Sequence, residues 1–126
     1  MDCYFGSFDL PEDNALDKSA VVAFHIPTAG IRFKAPFAAA DTFHSNLASL
    51  LALLEFIDSN QKYFSNHTYQ IYGNDLQVVN AVNRRQEVSP IFLPLLQKAV
   101  EYRQKYRFSL EWVAGRDNPL YDDLLD

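Results

Sequence analysis

Apolar and polar residues along this chain change period several times, and each change marks an element. Residues 3–9 are rich in aromatics and run into Leu10-Pro11-Glu12-Asp13-Asn14, which predicts a first strand and a polar turn. Residues 19–26, with Val21, Val22, Phe24 and Ile26, predict a second strand. Pro27-Thr28-Ala29-Gly30 is a hairpin turn, and residues 31–37 set Ile31, Phe33 and Ala35 against Arg32, Lys34 and Pro36, a third strand with one wet face. Leu47, Leu50, Leu51, Leu54 and Ile57 then recur at helical spacing, with Asp41 or Thr42 as the cap. Residues 69–73 form a short fourth strand and 75–82 a brief helix. Ser89-Pro90 opens a helix to about Lys105, whose start Pro94 can delay by a turn. Residues 107–113 are a fifth strand, and Asn118-Pro119 opens a last helix that the chain end at Asp126 cuts short.

Three strands in a row, then helices alternating with strands, imply an antiparallel meander joined to parallel strands by crossover helices. At 126 residues the chain has the size of one domain, so residues 1–126 are read as a single unit with a core of its own. Its 48% hydrophobic and 21% charged residues are those of an ordinary globular protein. No apolar run reaches the roughly 18 residues of a membrane span, and the start lacks the basic and apolar parts of a secretory signal. A cytoplasmic location with no membrane partner is therefore the expectation. Cys3, the one cysteine, falls in a strand and reads as a small apolar residue.

A net charge of −5 disfavours tight nonspecific binding to nucleic acid, which draws on counterions released by Lys and Arg. Any such contact must be local. Lys98, Arg103, Lys105 and Arg107 form the strongest basic strip, although with Glu101 among them a solvated helix face is the better explanation. The lone cysteine and three histidines show no zinc or nucleophile spacing, and glycine-rich phosphate loops are missing.

Three further segments narrow the reading. They are Ser45-Asn46 followed by Ala48-Ser49-Leu50-Leu51-Ala52-Leu53-Leu54-Glu55-Phe56, then Ile71-Tyr72-Gly73-Asn74-Asp75-Leu76-Gln77-Val78-Val79, and finally Glu111-Trp112-Val113 with Arg116-Asp117-Asn118-Pro119-Leu120-Tyr121-Asp122-Asp123-Leu124. In order and at these separations they resemble the ribonuclease H family: its first helix, its fourth strand and following turn, and its closing Trp-Val strand, loop and Asn-x-x-x-Asp helix. The resemblance implies an α/β, ribonuclease H-like fold: a five-stranded mixed sheet, strands 1–3 antiparallel, flanked by helices.

It also implies a chemistry, in which carboxylates from separate elements hold two Mg²⁺ (or Mn²⁺) ions that activate water against a phosphodiester. By this resemblance Asp9, Asp75 and Asp122 are the candidate metal ligands and catalytic acids, with Asp123 beside the last. The family's first-helix glutamate falls on Ser49, which is neutral and short. Glu55 lies about 9 Å further along the helix and off that face, while Glu12 and Asp13 are on a loop that could swing inward. Bound Mg²⁺ is thus expected to be weak or absent. Asn46, Arg84, Arg85 and Arg116 are candidate contacts to nucleic acid.

Each of these residues also has a structural explanation. Asp75 can be the cap of its helix, Asp9 a strand-end turn residue, Ser49 a small residue packed against the sheet, and Arg116 a simple loop arginine. Two functions follow. One is a catalytically degenerate ribonuclease H-like domain acting as a nucleic-acid- or protein-binding module; the other is an active Mg²⁺-dependent ribonuclease H that cleaves RNA in RNA/DNA hybrids. Ten Phe and seven Tyr add a protein-interaction reading. Phe5, Phe24, Phe33 and Phe56 are expected in the core, whereas Tyr63, Phe64, Tyr102, Tyr106 and Tyr121 are free for a protein or homo-oligomer interface.

Overall fold

The computed structural model describes residues 1–9, 18–64, 66–84 and 86–124, with the side chains of Asp9, Lys18, Ser19 and residues 122–124 outside the description. Five strands, β1 (Asp2–Asp9), β2 (Lys18–Ile26), β3 (Ile31–Ala39), β4 (Tyr69–Gly73) and β5 (Phe108–Trp112), form one sheet in the order β3-β2-β1-β4-β5. β1, β2 and β3 pair antiparallel, and β4 joins β1 and β5 in parallel. The expected mixed sheet is present.

Period-2 alternation sends Cys3 and Phe5 of β1, Phe24 and Ile26 of β2, Ile71 of β4 and Leu110 of β5 into the core. Against them lies α1 (Thr42–Ser59), whose Leu47, Leu50, Leu53 and Leu54 are fully buried. Each such side chain contributes about 1.5–3 kcal/mol of burial, so this helix anchors the layer. Of the two possible caps the structure uses Asp41, whose Oδ1 accepts from His44 N at 2.7 Å. A four-residue helix that the hydrophobic spacing did not announce, α2 (Gln61–Phe64), turns the chain back toward β4.

α3 (Leu76–Val82) buries Val78, Val79 and Val82, and α4 (Leu93–Lys105) follows a 3-10 turn at Pro90–Phe92. The α-helix therefore starts one turn after Ser89-Pro90, because Pro94 has no N–H and is tolerated only in a first turn. Lys98 bonds Glu55 of α1, and Lys105 meets Asp58 of α1 at 2.7 Å. Arg103 reaches Asn83 of the α3 cap. Most of the basic strip thus holds helices together. The closing segment, Pro119–Leu124, winds as a 3-10 helix rather than an α-helix.

Three aromatic expectations need correcting, one being Tyr121, which packs over Gly6 and bonds Ser7 O instead of standing free for an interface. Phe33 is 38% exposed, since it sits on the edge strand β3 and covers only one side of its ring by stacking on Phe24 at 4.9 Å. Phe64, expected to be free for an interface, is buried among core residues, which leaves Tyr63 at 79% exposure as the open member of that pair.

Candidate functional site

Parallel pairing of β1 with β4 runs from Asp2–Gln70 to Phe5–Gly73 and stops there. Beyond that rung β1 keeps β2 on one side, and its carbonyls on the β4 side must find partners elsewhere. Side chains of Asn118 and the closing segment supply them, and α1 adds a bond to the carbonyl between. Asn118 Nδ2 donates to Phe5 O at 3.1 Å, Ser49 Oγ to Gly6 O at 2.7 Å, and the Tyr121 hydroxyl to Ser7 O at 2.9 Å. Helix α1, the strand end and the closing segment thus meet at one short stretch of β1.

The groups that bond this stretch are hydroxyls and amides, with the charge of Asp75 acting on Tyr121 beside them. Ser7 Oγ and Ser45 Oγ share a hydrogen bond of 2.7 Å, and Ser45 O also lies 2.9 Å from Ser49 Oγ. Asn74, the first residue past β4, accepts at its backbone O from Trp112 Nε1 (3.1 Å) and at its Oδ1 from Asn118 Nδ2 (3.3 Å). Asn118 is fully buried, and its Oδ1 accepts from Leu120 N at 3.0 Å, so every polar atom of its side chain is satisfied. Tyr121 packs directly over Gly6, and burial pushes its phenol above the ordinary range although donors from Asn74 and toward Ser7 oppose this.

Ser49, the expected place of the missing acid, lies fully buried inside this network with its hydroxyl committed to backbone carbonyls. Asp75 caps α3, its Oδ1 accepting from Val78 N at 3.1 Å. Desolvation by burial raises its carboxyl above the usual carboxylate range, against the lowering effect of the Val78 and Gln77 amides, and the charge of Asp41 adds to the rise. Asp9 pairs with Ala20 of β2, four residues past the last β1–β4 rung, so its backbone stands about 13 Å along the strand from the end of β4. Asp122 lies in the closing 3-10 segment; its side chain and that of Asp9 are outside the described residues.

Asn46 does not present a surface to nucleic acid. It is 3% exposed, and its Nδ2 donates to Thr42 O at 2.9 Å, while its Oδ1 has no partner. The reason is helical phase: Asn46 shares the inward face of α1 with Leu47 and Leu50. Arg84 is exposed, at the end of α3 with a left-handed φ of 62°. Arg116 is also open, with its side chain 88% exposed and Asp117 at 3.9 Å. Arg85, Glu12 and Asp13 lie outside the described residues.

Could this strand end hold the two Mg²⁺ ions? Such a centre needs several anionic oxygens close together. Among the described residues no group of three or more His, Cys, Asp or Glu is placed to hold a metal ion. The side chains that do converge are hydroxyls and amides already engaged in hydrogen bonds with one another and with backbone carbonyls. The described residues here do not fit a two-metal carboxylate centre.

Sequence reasoning missed Gly6, Ser7, Ser45, Asn74, Asn118 and Tyr121 as members of this cluster. Attention fell on acidic residues, and Asn74 and Tyr121 each stand directly before one of the chosen aspartates. Position at the end of β4 was the available signal, since the residue after Gly73 is Asn74.

This architecture, a mixed five-stranded sheet in the order 3-2-1-4-5 with helices packed on it, is the ribonuclease H fold. RNase H1 from the halophilic archaeon Halobacterium salinarum matches with a TM-score of 0.73 at 16% identity, over 98% of this chain and 92% of that one. LC11-RNase H1, solved in complex with an RNA/DNA hybrid, matches with a TM-score of 0.75 at 12% identity, over 98% and 91%. The N-terminal RNase H domain of a Mycobacterium tuberculosis protein matches with a TM-score of 0.69 at 16% identity, over 98% and 89%. At such identities the likeness is one of fold, and neither a family profile nor a curated protein sequence matches the chain.

Proposed function

We propose that this chain is a ribonuclease H-fold module that binds a partner without cleaving phosphodiesters. The observation that supports it is Ser49: where the resemblance calls for an acid there is a buried hydroxyl already bonded to Gly6 O and Ser45 O. Without that charge, and with amides and hydroxyls around it, the described part of the strand end offers divalent ions a weaker field than a full carboxylate cluster would. A protein partner is favoured over nucleic acid, because the net charge is −5 and Lys98 and Lys105 are neutralised by Glu55 and Asp58.

The competing reading, a Mg²⁺- or Mn²⁺-dependent ribonuclease H using Asp9, Asp75 and Asp122, draws on one observation: a fold neighbour was solved with an RNA/DNA hybrid. A labelled hybrid incubated with the protein and either ion separates the two, with Asp75→Asn and Asp122→Asn run alongside. No cleavage by any of the three is expected. Metal-dependent cleavage that Asp122→Asn abolishes would establish the nuclease. Fluorescence anisotropy on the same hybrid at low salt tests the partner class, and tight binding that weakens steeply with salt would reverse the preference for protein.

A further inference from the structure

We infer that the end of β1 and β4 is a metal-independent latch, in which the Tyr121 hydroxyl fills the space a side chain at position 6 would need and, with Asn74 and Asn118, fastens the closing segment to the sheet. The inference rests on the reading of the chain as a non-cleaving module, and it says what has taken the place of a metal centre.

Space is the first part of the argument. A Cβ at residue 6 would lie 2.5 Å from Tyr121 Oη, 3.1 Å from Tyr121 Cζ and 3.0 Å from Leu120 Cδ2. Real Cβ atoms do not come as close as 2.5 Å to another heavy atom, so a side chain at this position of β1 needs Tyr121 to move. Glycine is required here by contact rather than by backbone conformation.

Hydrogen bonding is the second. Tyr121 donates to Ser7 O, and the Asn74 side chain stands beside its phenol. Asn74 Oδ1 in turn accepts from Asn118 Nδ2, which also donates to Phe5 O. These bonds tie Phe5 and Ser7 of β1, the residue after β4, and both ends of the turn that carries Leu120. A divalent cation entering here would have to displace satisfied donors from neutral oxygens, and the neighbouring Asp75 already spends one carboxylate oxygen on the cap of α3, so protons do the work that ions would do in a carboxylate cluster. The latch also explains why a segment of only six residues, with little length to form a stable helix alone, stays on the sheet.

Gly6→Ala, Tyr121→Phe and the double variant test this by thermal melting, each with and without millimolar Mg²⁺ or Mn²⁺ against salt of matched ionic strength. Tyr121→Phe is expected to lower Tm by roughly 2–6 °C, for one lost hydrogen bond in a chain of this size. Gly6→Ala should cost more in the Tyr121 background than in the Phe background, because the phenol oxygen is the closest atom to the new methyl. Equal costs in both backgrounds would overturn the latch. Should Gly6→Ala fail to fold, hydrogen exchange of the Leu120 and Tyr121 amides in Tyr121→Phe decides: faster exchange supports the latch, unchanged exchange refutes it. Divalent ions should shift no melting curve beyond the matched salt, and a metal-specific rise in Tm, with no hybrid cleaved, would overturn the latch while leaving the non-cleaving reading intact. Hybrid cleavage with metal-insensitive melting would do the reverse.

Discussion

Putting glutamate at position 49 would restore the charge that the resemblance expects, and the structure says what that would do. Ser49 is fully buried, and its hydroxyl sits 2.7 Å from Gly6 O and 2.9 Å from Ser45 O. Glutamate adds three non-hydrogen atoms to a closed space, an overpacking that costs about 1–3 kcal/mol. The hydroxyl donor to Gly6 O is lost as well, about 0.5–1.5 kcal/mol. An ionised carboxylate facing carbonyl oxygens with no cation beside it adds several kcal/mol more, unless it takes up a proton. The sum is at least about 3 kcal/mol, a large share of the ~5–15 kcal/mol that holds a domain together. Urea unfolding at neutral pH should show it as a midpoint well below that of Ser49→Ala, which loses only the hydrogen bond. The sign with pH is also set: burial raises the new carboxyl's native pKa above its unfolded value, so the penalty is full above the native pKa and shrinks as pH falls through it. An unchanged midpoint for Ser49→Glu, or stability recovered specifically by Mg²⁺, would refute the placement of Ser49 in a closed neutral network.

Further expectations follow from single contacts. Asp75→Asn should keep the α3 cap and leave stability equal or higher at neutral pH, whereas Asp75→Ala should lose about 0.5–2 kcal/mol of cap in denaturant titrations. Since the Asp75 carboxyl is raised from 3.8 by burial, its native form holds the proton more tightly, and wild type should lose ground to Asp75→Asn as pH climbs through the window that opens there; a constant difference would refute it. Asn118→Asp turns both of the amide donors into an acceptor facing Phe5 O and Asn74 Oδ1, so it should destabilise by more than Asn118→Ser, checked by the same melts. Cys3 is fully buried, which pushes its thiol up to about 12, so a thiol reagent should label it only after unfolding; prompt labelling of the native protein would be the contrary result.

Which parts of this were readable in the chain follows from the range of the forces involved. Strand alternation and the Leu47–Ile57 spacing report local geometry, because a side chain's face depends only on its phase within its own element. The five strands, the main helices and the antiparallel start of the sheet were therefore legible, as was the resemblance to a fold that these elements assemble. The turn-level detail at Pro90–Pro94 and Pro119–Leu124 was less so, since α and 3-10 turns use the same residues and differ by which carbonyl is in reach. Phe33 shows the same limit, because no local pattern says that β3 is the sheet's edge.

At the strand end, only the tertiary structure could decide. The sequence by itself determined that a serine stands at position 49, where the resemblance calls for an acid, and that Asp75 is able to cap a helix. Which side chains surround β1 beyond Phe5 depends on where β4 stops and on where the closing segment lands, contacts between residues more than a hundred positions apart, such as Asn118 with Phe5. Gly6 and Tyr121 carry no signal of their own, and Asn74 only its place after β4. They become a site because the fold removes a strand partner from β1 and buried carbonyls must then be satisfied by whatever donors the packing brings.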